Sequence, residues 1–344
     1  MRLLTHWPPV TLPDGVPMPS TDVEAVLPLL SRCPAHAPTP LADATGLADR
    51  AGVARVHVKD ERARMGLGSF KALGAAYVIA RAAADGVTDE TWITASAGNH
   101  GLSVAAGARV FGHRAVVVIA ETVPEAFAER LRAEGAEVVR HGAEYEAAIA
   151  HAAALAEERG YALLSDSSWD GYTAPPLRLM EGYTVLMREC FDAMDEAPTH
   201  IFLQAGVGGL AAACAAMARR DWGREPGRAP FITVVEPEAA PALMASVEAG
   251  KPVHAPGPVS AMGRLDCKEP SFIALAGLAR DADAFATITE AEAADAMPVL
   301  AQADLATTPS GGAGLAALLA SGDHREALRL DRNSRVLAIL SEVP

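Results

Sequence analysis

The sequence predicts an α/β protein made of parallel sheets flanked by helices. Short β-branched and apolar runs alternate with alanine-rich stretches of helical period, the pattern of strand–helix–strand units. The strand runs are apolar on both faces, as strands buried between two helical layers are. Glycine-bearing turns stand where these runs give way to helices.

The elements follow in chain order. Residues 54–59 (ARVHVK) read as a strand, 69–86 as a helix, 91–94 (TWIT) as a strand, 99–112 as a helix and 115–120 (AVVVIA) as a strand. Thr122 and Glu125 have capping-box spacing with Pro124 in the first turn, and the helix they open closes near Gly135. Strand 137–140, helix 143–160, the apolar run 161–166, a helix from Pro176 to Cys190, strand 201–205, helix 209–220 and strand 231–238 continue the alternation. Gly and Pro accumulate at 223–230 and 250–258, which reads as loop. Thr289 and Glu292 form a second capping box, and 335–343 (RVLAILSEV) is a last strand. The alanine enrichment reflects composition and helix preference rather than chemistry.

Composition excludes several classes. With 344 residues, half of them hydrophobic, the chain buries a sizeable core and is long enough for two domains. No apolar stretch approaches the roughly 20 residues that cross a bilayer. The first residues lack a signal-peptide apolar region, so secretion is not expected. Cys33, Cys190, Cys214 and Cys267 are far apart without a CxxC pair, which suggests neither a metal site nor a disulfide framework and fits a reducing cytoplasm. A net charge of −14 without a basic cluster argues against nucleic acid and leaves a small molecule as the expected partner.

Three segments carry chemistry. Gly66-Leu67-Gly68-Ser69-Phe70-Lys71 places a lysine at the start of a helix with a buried face. Desolvation there lowers an amine's pKa and leaves it nucleophilic for Schiff-base formation, although a first-turn lysine can equally reach out to solvent. Thr94 to Gly101 is a strand exit turning into a helix, where backbone N–H groups face an anion and Ser96 and Asn99 add donors; a plain helix cap is the alternative. Gln204-Ala205-Gly206-Val207-Gly208-Gly209-Leu210 again follows a strand and opens a helix, with glycines that let backbone wrap a phosphate. A dinucleotide fingerprint would need the full GxGxxG spacing in the first strand–helix–strand unit, which this segment lacks.

In this order the three segments resemble the two-domain fold-type II pyridoxal-phosphate enzymes, the family of tryptophan synthase β, cysteine synthase and the serine and threonine dehydratases. Residues 165–173 (SDSSWDGYT), residues 262–271 (MGRLDCKEPS) and the opening KDERARMGLGSFKALG bring the resemblance nearer to diaminopropionate ammonia-lyase and its relatives. It implies pyridoxal 5'-phosphate held by Lys71 as a Schiff base, with the cofactor met by Phe70, Asn99, the loop Gly206, Val207, Gly208, Gly209 and Leu210, and Ser341 at the ring nitrogen. Substrate contacts fall on Ser96, Ala97, Gly98, Asn99, His100, Tyr172 and Thr173, with His100 also readable as structural.

The resemblance further implies two acids serving opposite substrate enantiomers. One matches Asp166, for which a loop acceptor role is the alternative; the other position holds Ala97, which puts turnover of a D-substrate in doubt. Thr307 to Gly312 is expected as a loop near the cofactor or as a helix cap. The implied activity is α,β-elimination giving a 2-oxo acid and ammonia, and no metal site is read from the sequence. Dehydration of a β-hydroxy amino acid such as serine, threonine or 3-hydroxyaspartate is the competing activity, and a non-catalytic cofactor-binding relative is disfavoured by the intact Lys71, Asn99 and Asp166. The implied architecture is a large domain of residues 1–80 and 195–344, a mobile small domain of 81–194, and a homodimer.

Overall fold

The computed structural model describes residues 1–225 and 227–344. Among the described residues, eleven strands run in chain order: β1 (Arg2–Leu4), β2 (Leu41–Asp43), β3 (Arg55–Asp60), β4 (Thr91–Ala95), β5 (Arg114–Ile119), β6 (Glu137–Arg140), β7 (Ala162–Leu163), β8 (His200–Gln204), β9 (Phe231–Pro237), β10 (Ala284–Ile288) and β11 (Arg335–Leu340). They form two sheets, one ordered β1-β10-β9-β8-β11-β3-β2 and one ordered β6-β5-β4-β7. Central strands β8, β9, β10 and β11 are almost wholly buried, which explains their unbroken apolar runs.

The smaller sheet is entirely parallel. The larger one is parallel except at its edges, where β1 pairs with β10 and β2 with β3 in antiparallel sense. These edge strands flank the expected parallel strands. Each is three residues long and partly exposed, too short for an apolar run to reveal it.

Helix boundaries follow local chemistry with one correction. Thr289 and Glu292 form the expected capping box at helix Glu290–Gln302. The spacing of Thr122 and Glu125 does not produce one: Pro124 is the N-cap of helix Glu125–Ala133, and Thr122 donates to the Ala143 carbonyl instead. Glu125 is drawn away to Arg132 and Arg140.

The helix Ala174–Ala193 packs against Lys71–Ala84 on one side and Gly209–Trp222 on the other. Its contact with Lys71–Ala84 depends on two glycines. A Cβ on Gly74 would lie 2.8 Å from the Leu179 carbonyl oxygen, and one on Gly182 would lie 2.7 Å from that of Leu73. Only hydrogen at both positions lets the backbones approach this closely, and this crossing sets Tyr183 beside Lys71.

At the far end of the same helix, Glu189 joins a buried ionic group. Arg64 donates to Glu61 and Glu189, and Lys59 donates to Glu189 at 2.5 Å. Arg64 and Glu61 are fully buried and Lys59 nearly so. No helix among the described residues is long and apolar enough to cross a membrane.

Candidate active site

Lys71 is the first residue of its helix, directly after Phe70. Its Nζ lies 5.2 Å from the Phe70 ring centroid and 5.9 Å from that of Tyr183. It donates a 2.6 Å hydrogen bond to Asp166 Oδ2, with the two side chains 20% and 21% exposed. Burial opposes charge on both groups, but each partner outweighs it for the other. Lys71 is held above the ordinary lysine range, chiefly by Asp166, and Asp166 is held below the ordinary carboxylate range, by Lys71 and then His100. The expected lowering of the lysine pKa is therefore corrected: desolvation acts in that direction and the carboxylate reverses it.

Asp166 follows β7 on a loop that its own residues stiffen. Tyr172 Oη donates to the Leu163 carbonyl at 2.8 Å and accepts from the Ser165 N–H at 3.1 Å, while its ring stacks on Trp169 with centroids 4.3 Å apart. Ser168 Oγ lies 2.7 Å from Ser271 Oγ, which ties this loop to the 262–271 segment. Thr173 is the N-cap of helix Ala174–Ala193. His100 is buried, with Nε2 2.9 Å from the Leu164 carbonyl oxygen, and burial holds its pKa down. A cleft lined by His100 and Trp169 opens onto Asp166.

The glycine loop stands against the same pair. Gly208 has φ +99°, and a Cβ there would lie 2.9 Å from Leu243 and Ala274; one on Gly206 would lie 3.0 Å from Cys267 Sγ. A Cβ on Gly209 would reach within 3.9 Å of the Asp166 carbonyl oxygen. Helix Gly209–Trp222 begins here without a side-chain cap, so its first N–H groups are open to an anion. Val207 accepts from the Ser271 N–H at 3.0 Å, and Leu210 is buried.

Asn99 opens the helix Asn99–Val110 behind Gly98, and Ser96 Oγ accepts from the Gly98 N–H at 3.2 Å. Asn99 Nδ2 donates at 2.6 Å to Glu342, which is only 3% exposed. The other Glu342 oxygen accepts from Arg264 at 2.9 Å and from the Thr308 hydroxyl. Burial raises the pKa of Glu342, and Arg264 opposes it. Ser341, immediately before it, is buried and pairs through its backbone with Gly311 and Phe70. The 307–312 segment is a loop gathered around this carboxylate, with Ser310 Oγ accepting from the Arg264 N–H.

The family model for pyridoxal-phosphate dependent enzymes matches residues 33–342. The chain belongs to that family. A pyridoxal-phosphate enzyme has relatives of two kinds here. The diaminopropionate ammonia-lyase of Salmonella typhimurium is 31% identical over 92% of this chain and 88% of the relative, and that of Escherichia coli K12 is 30% identical over 89% and 84%. The human L-serine dehydratase/L-threonine deaminase is 32% identical over 66% of this chain and 65% of its own. Among solved structures, the Escherichia coli diaminopropionate ammonia-lyase in complex with D-serine superposes with a TM-score of 0.86 at 27% identity, covering 94% of this chain and 89% of the other.

The residues present fit pyridoxal phosphate. The glycine cradle and uncapped helix N-terminus suit its phosphate, Lys71 suits its aldehyde, and Ser69 Oγ is fully buried beside them without a hydrogen-bond partner. The motif residues Lys71, Asn99, Asp166 and Gly206 to Gly209 are brought together in this fold. Sequence reasoning missed Glu342, Tyr183 and the placement of Arg264, while the 307–312 segment it expected near the cofactor supplies Thr308 to Glu342. Arg264 and Glu342 both stand inside segments quoted above, so proximity to a motif was the one signal that marked them.

Proposed function

We propose that this pyridoxal-phosphate enzyme catalyses α,β-elimination on a small amino acid, releasing a 2-oxo acid and ammonia as a carbon–nitrogen lyase. The observation that carries the reading is the Lys71–Asp166 pair at 2.6 Å beside the glycine cradle: an amine, a proton acceptor and an anion site meet in one place. Bound there, the cofactor supplies an electron sink for the charge left at Cα when its proton leaves. Lys71 holds the cofactor and, once displaced, its Nζ or Asp166 Oδ2 accepts the α-proton. Asp166 is held ionised, as an acceptor must be.

Phe70, Gly206, Val207, Gly208, Gly209 and Leu210 line the cofactor, with Asn99 and Ser341 at its ring. Ser96, Ala97, Gly98 and Asn99 receive the substrate carboxylate on the helix N-terminus, and His100, Tyr172 and Thr173 hold the opposite wall. Residues 81–194 form a small domain that closes on the large domain of 1–80 and 195–344 when substrate binds. The four free thiols support a cytoplasmic location, and the family resemblance supports a homodimer.

Diaminopropionate is the first candidate substrate, following the named activity of the relatives. Ala97 favours a second reading, dehydration of a β-hydroxy amino acid, because no acid stands at that position for the D-enantiomer. The test is release of 2-oxo acid from L- and D-diaminopropionate, L-serine and L-threonine. Turnover of L-diaminopropionate, with D-diaminopropionate gained in Ala97→Asp, supports the lyase. Turnover of hydroxy amino acids alone makes the enzyme a dehydratase, and 2-oxo acid from none of them overturns the elimination reading.

A further inference from the structure

Tyr183 carries an unused hydroxyl beside the reactive lysine. The residue lies midway along the helix Ala174–Ala193 and is 1% exposed. Its Oη is buried and has no hydrogen-bond partner among the described residues, whereas a buried phenol ordinarily finds one. The other buried tyrosine, Tyr77, donates its hydroxyl to Glu181 at 2.9 Å. A hydroxyl kept from water without a partner costs stability, so one held beside Lys71 points to an acceptor that arrives with a ligand.

The surroundings of the ring fix where that acceptor sits. A Cβ on Gly74 would lie 2.7 Å from Tyr183 Cε1, and one on Gly209 would lie 3.8 Å from Cε2. Those two carbons flank the one that bears the hydroxyl, so Oη emerges between the Lys71–Ala84 helix and the glycine loop. Phe70 meets the ring in a T-shaped contact with centroids 4.9 Å apart, and Lys71 Nζ lies 5.9 Å from its centroid. Burial holds the phenol above the ordinary tyrosine range, with Lys71 opposing, so the group stays protonated and serves as a donor. The helix beginning at Gly209 presents backbone N–H groups without a side-chain cap at the same place. A phosphate is an acceptor-only anion with oxygens enough for both.

We propose that Tyr183 is a cofactor-binding residue whose hydroxyl donates a hydrogen bond to the phosphate of pyridoxal phosphate. This role rests on Lys71 and the glycine loop holding the cofactor, and it adds to the backbone cradle a side-chain donor that none of the three motif segments contains. Tyr183 takes no part in proton transfer, so its loss acts on cofactor affinity and leaves kcat at saturating cofactor nearly unchanged.

The test removes one oxygen. Cofactor-free parent protein and Tyr183→Phe are each titrated with pyridoxal 5'-phosphate and with pyridoxal, which keeps the aldehyde and lacks the phosphate. In the variant the Kd for pyridoxal phosphate is expected to rise at least about tenfold, the size of a hydrogen bond to a charged group, while that for pyridoxal changes less than about twofold. The phosphorus resonance of the bound cofactor is expected to shift, and the melting temperature of the cofactor-free variant to hold or rise, since the hydroxyl has no partner to lose. Equal loss on both probes, or no loss, overturns the inference and leaves the cofactor site standing. A cofactor-free variant that melts lower or fails to fold also overturns it, because the hydroxyl then has a partner within the protein. A parent protein that binds pyridoxal phosphate no better than Lys71→Ala does overturns the placement of the cofactor and this role with it.

Discussion

The two charges Lys71 and Asp166 hold each other ionised. Asp166 stabilises the ammonium of Lys71 and is stabilised by it, so neither is ready for proton transfer until the other is engaged elsewhere. With Lys71 engaged by the cofactor, Asp166 would be free to accept a proton. Asp166→Asn keeps the shape and removes the acceptor. It is expected to lower kcat by about 10²- to 10⁴-fold while the protein still binds its cofactor. An unchanged kcat would show that Asp166 is only a loop acceptor. Lys71 and Asp166 were legible in the sequence because each sits inside a short contiguous motif. Glu342 was not: successive residues of an extended chain face opposite sides, and only the exit path of β11 decides that the carboxylate next to Ser341 reaches Asn99.

Elements show a second kind of buried acid. Glu236, near the end of β9, is fully buried and accepts from the Leu243 and Met244 N–H groups at 2.7 and 2.8 Å, capping helix Ala242–Ala249. Burial pushes its pKa up to about 8, against the lowering effect of the two donors. Its folded pKa lies above the unfolded value of 4.5, so the stability it contributes is complete below pH 4.5 and is lost as pH rises through 8. Glu236→Gln is expected to remove that part of the pH dependence, on the order of 3–5 kcal/mol between pH 4.5 and pH 8.5, read from urea midpoints at the two pH values. An unaltered slope in the variant would contradict the assignment. The strong strands were legible here because they are long and apolar on both faces. The failed cap at Thr122 and the antiparallel edges were not, since proline geometry and edge pairing outweigh what three or four residues signal.

The whole molecule arranges these parts between two sheets. Lys71 lies on the segment joining β3 of the larger sheet to β4 of the smaller, Asp166 after β7 of the smaller, and the glycine loop after β8 of the larger. A site assembled from both sheets responds to their relative position, which supports the small-domain closure proposed above. Fold class and the order of motifs were readable from the chain because each parallel unit repeats the same local pattern. The meeting of Arg264, Thr308 and Asn99 on one carboxylate was not, because those residues are separated by up to 243 positions and only the topology joins them. Arg64, Glu61, Lys59 and Glu189 were likewise invisible as a unit, since a buried ionic group has no periodicity.

The central claim is that Lys71 holds pyridoxal phosphate in this site. The most direct measurement is the absorbance spectrum of the purified protein beside Lys71→Ala, each incubated with the cofactor and then desalted. The account predicts a band near the visible edge in the parent protein that shifts on adding an amino acid and is missing from Lys71→Ala. A parent protein without the band, or a variant that keeps it unchanged, would contradict the account.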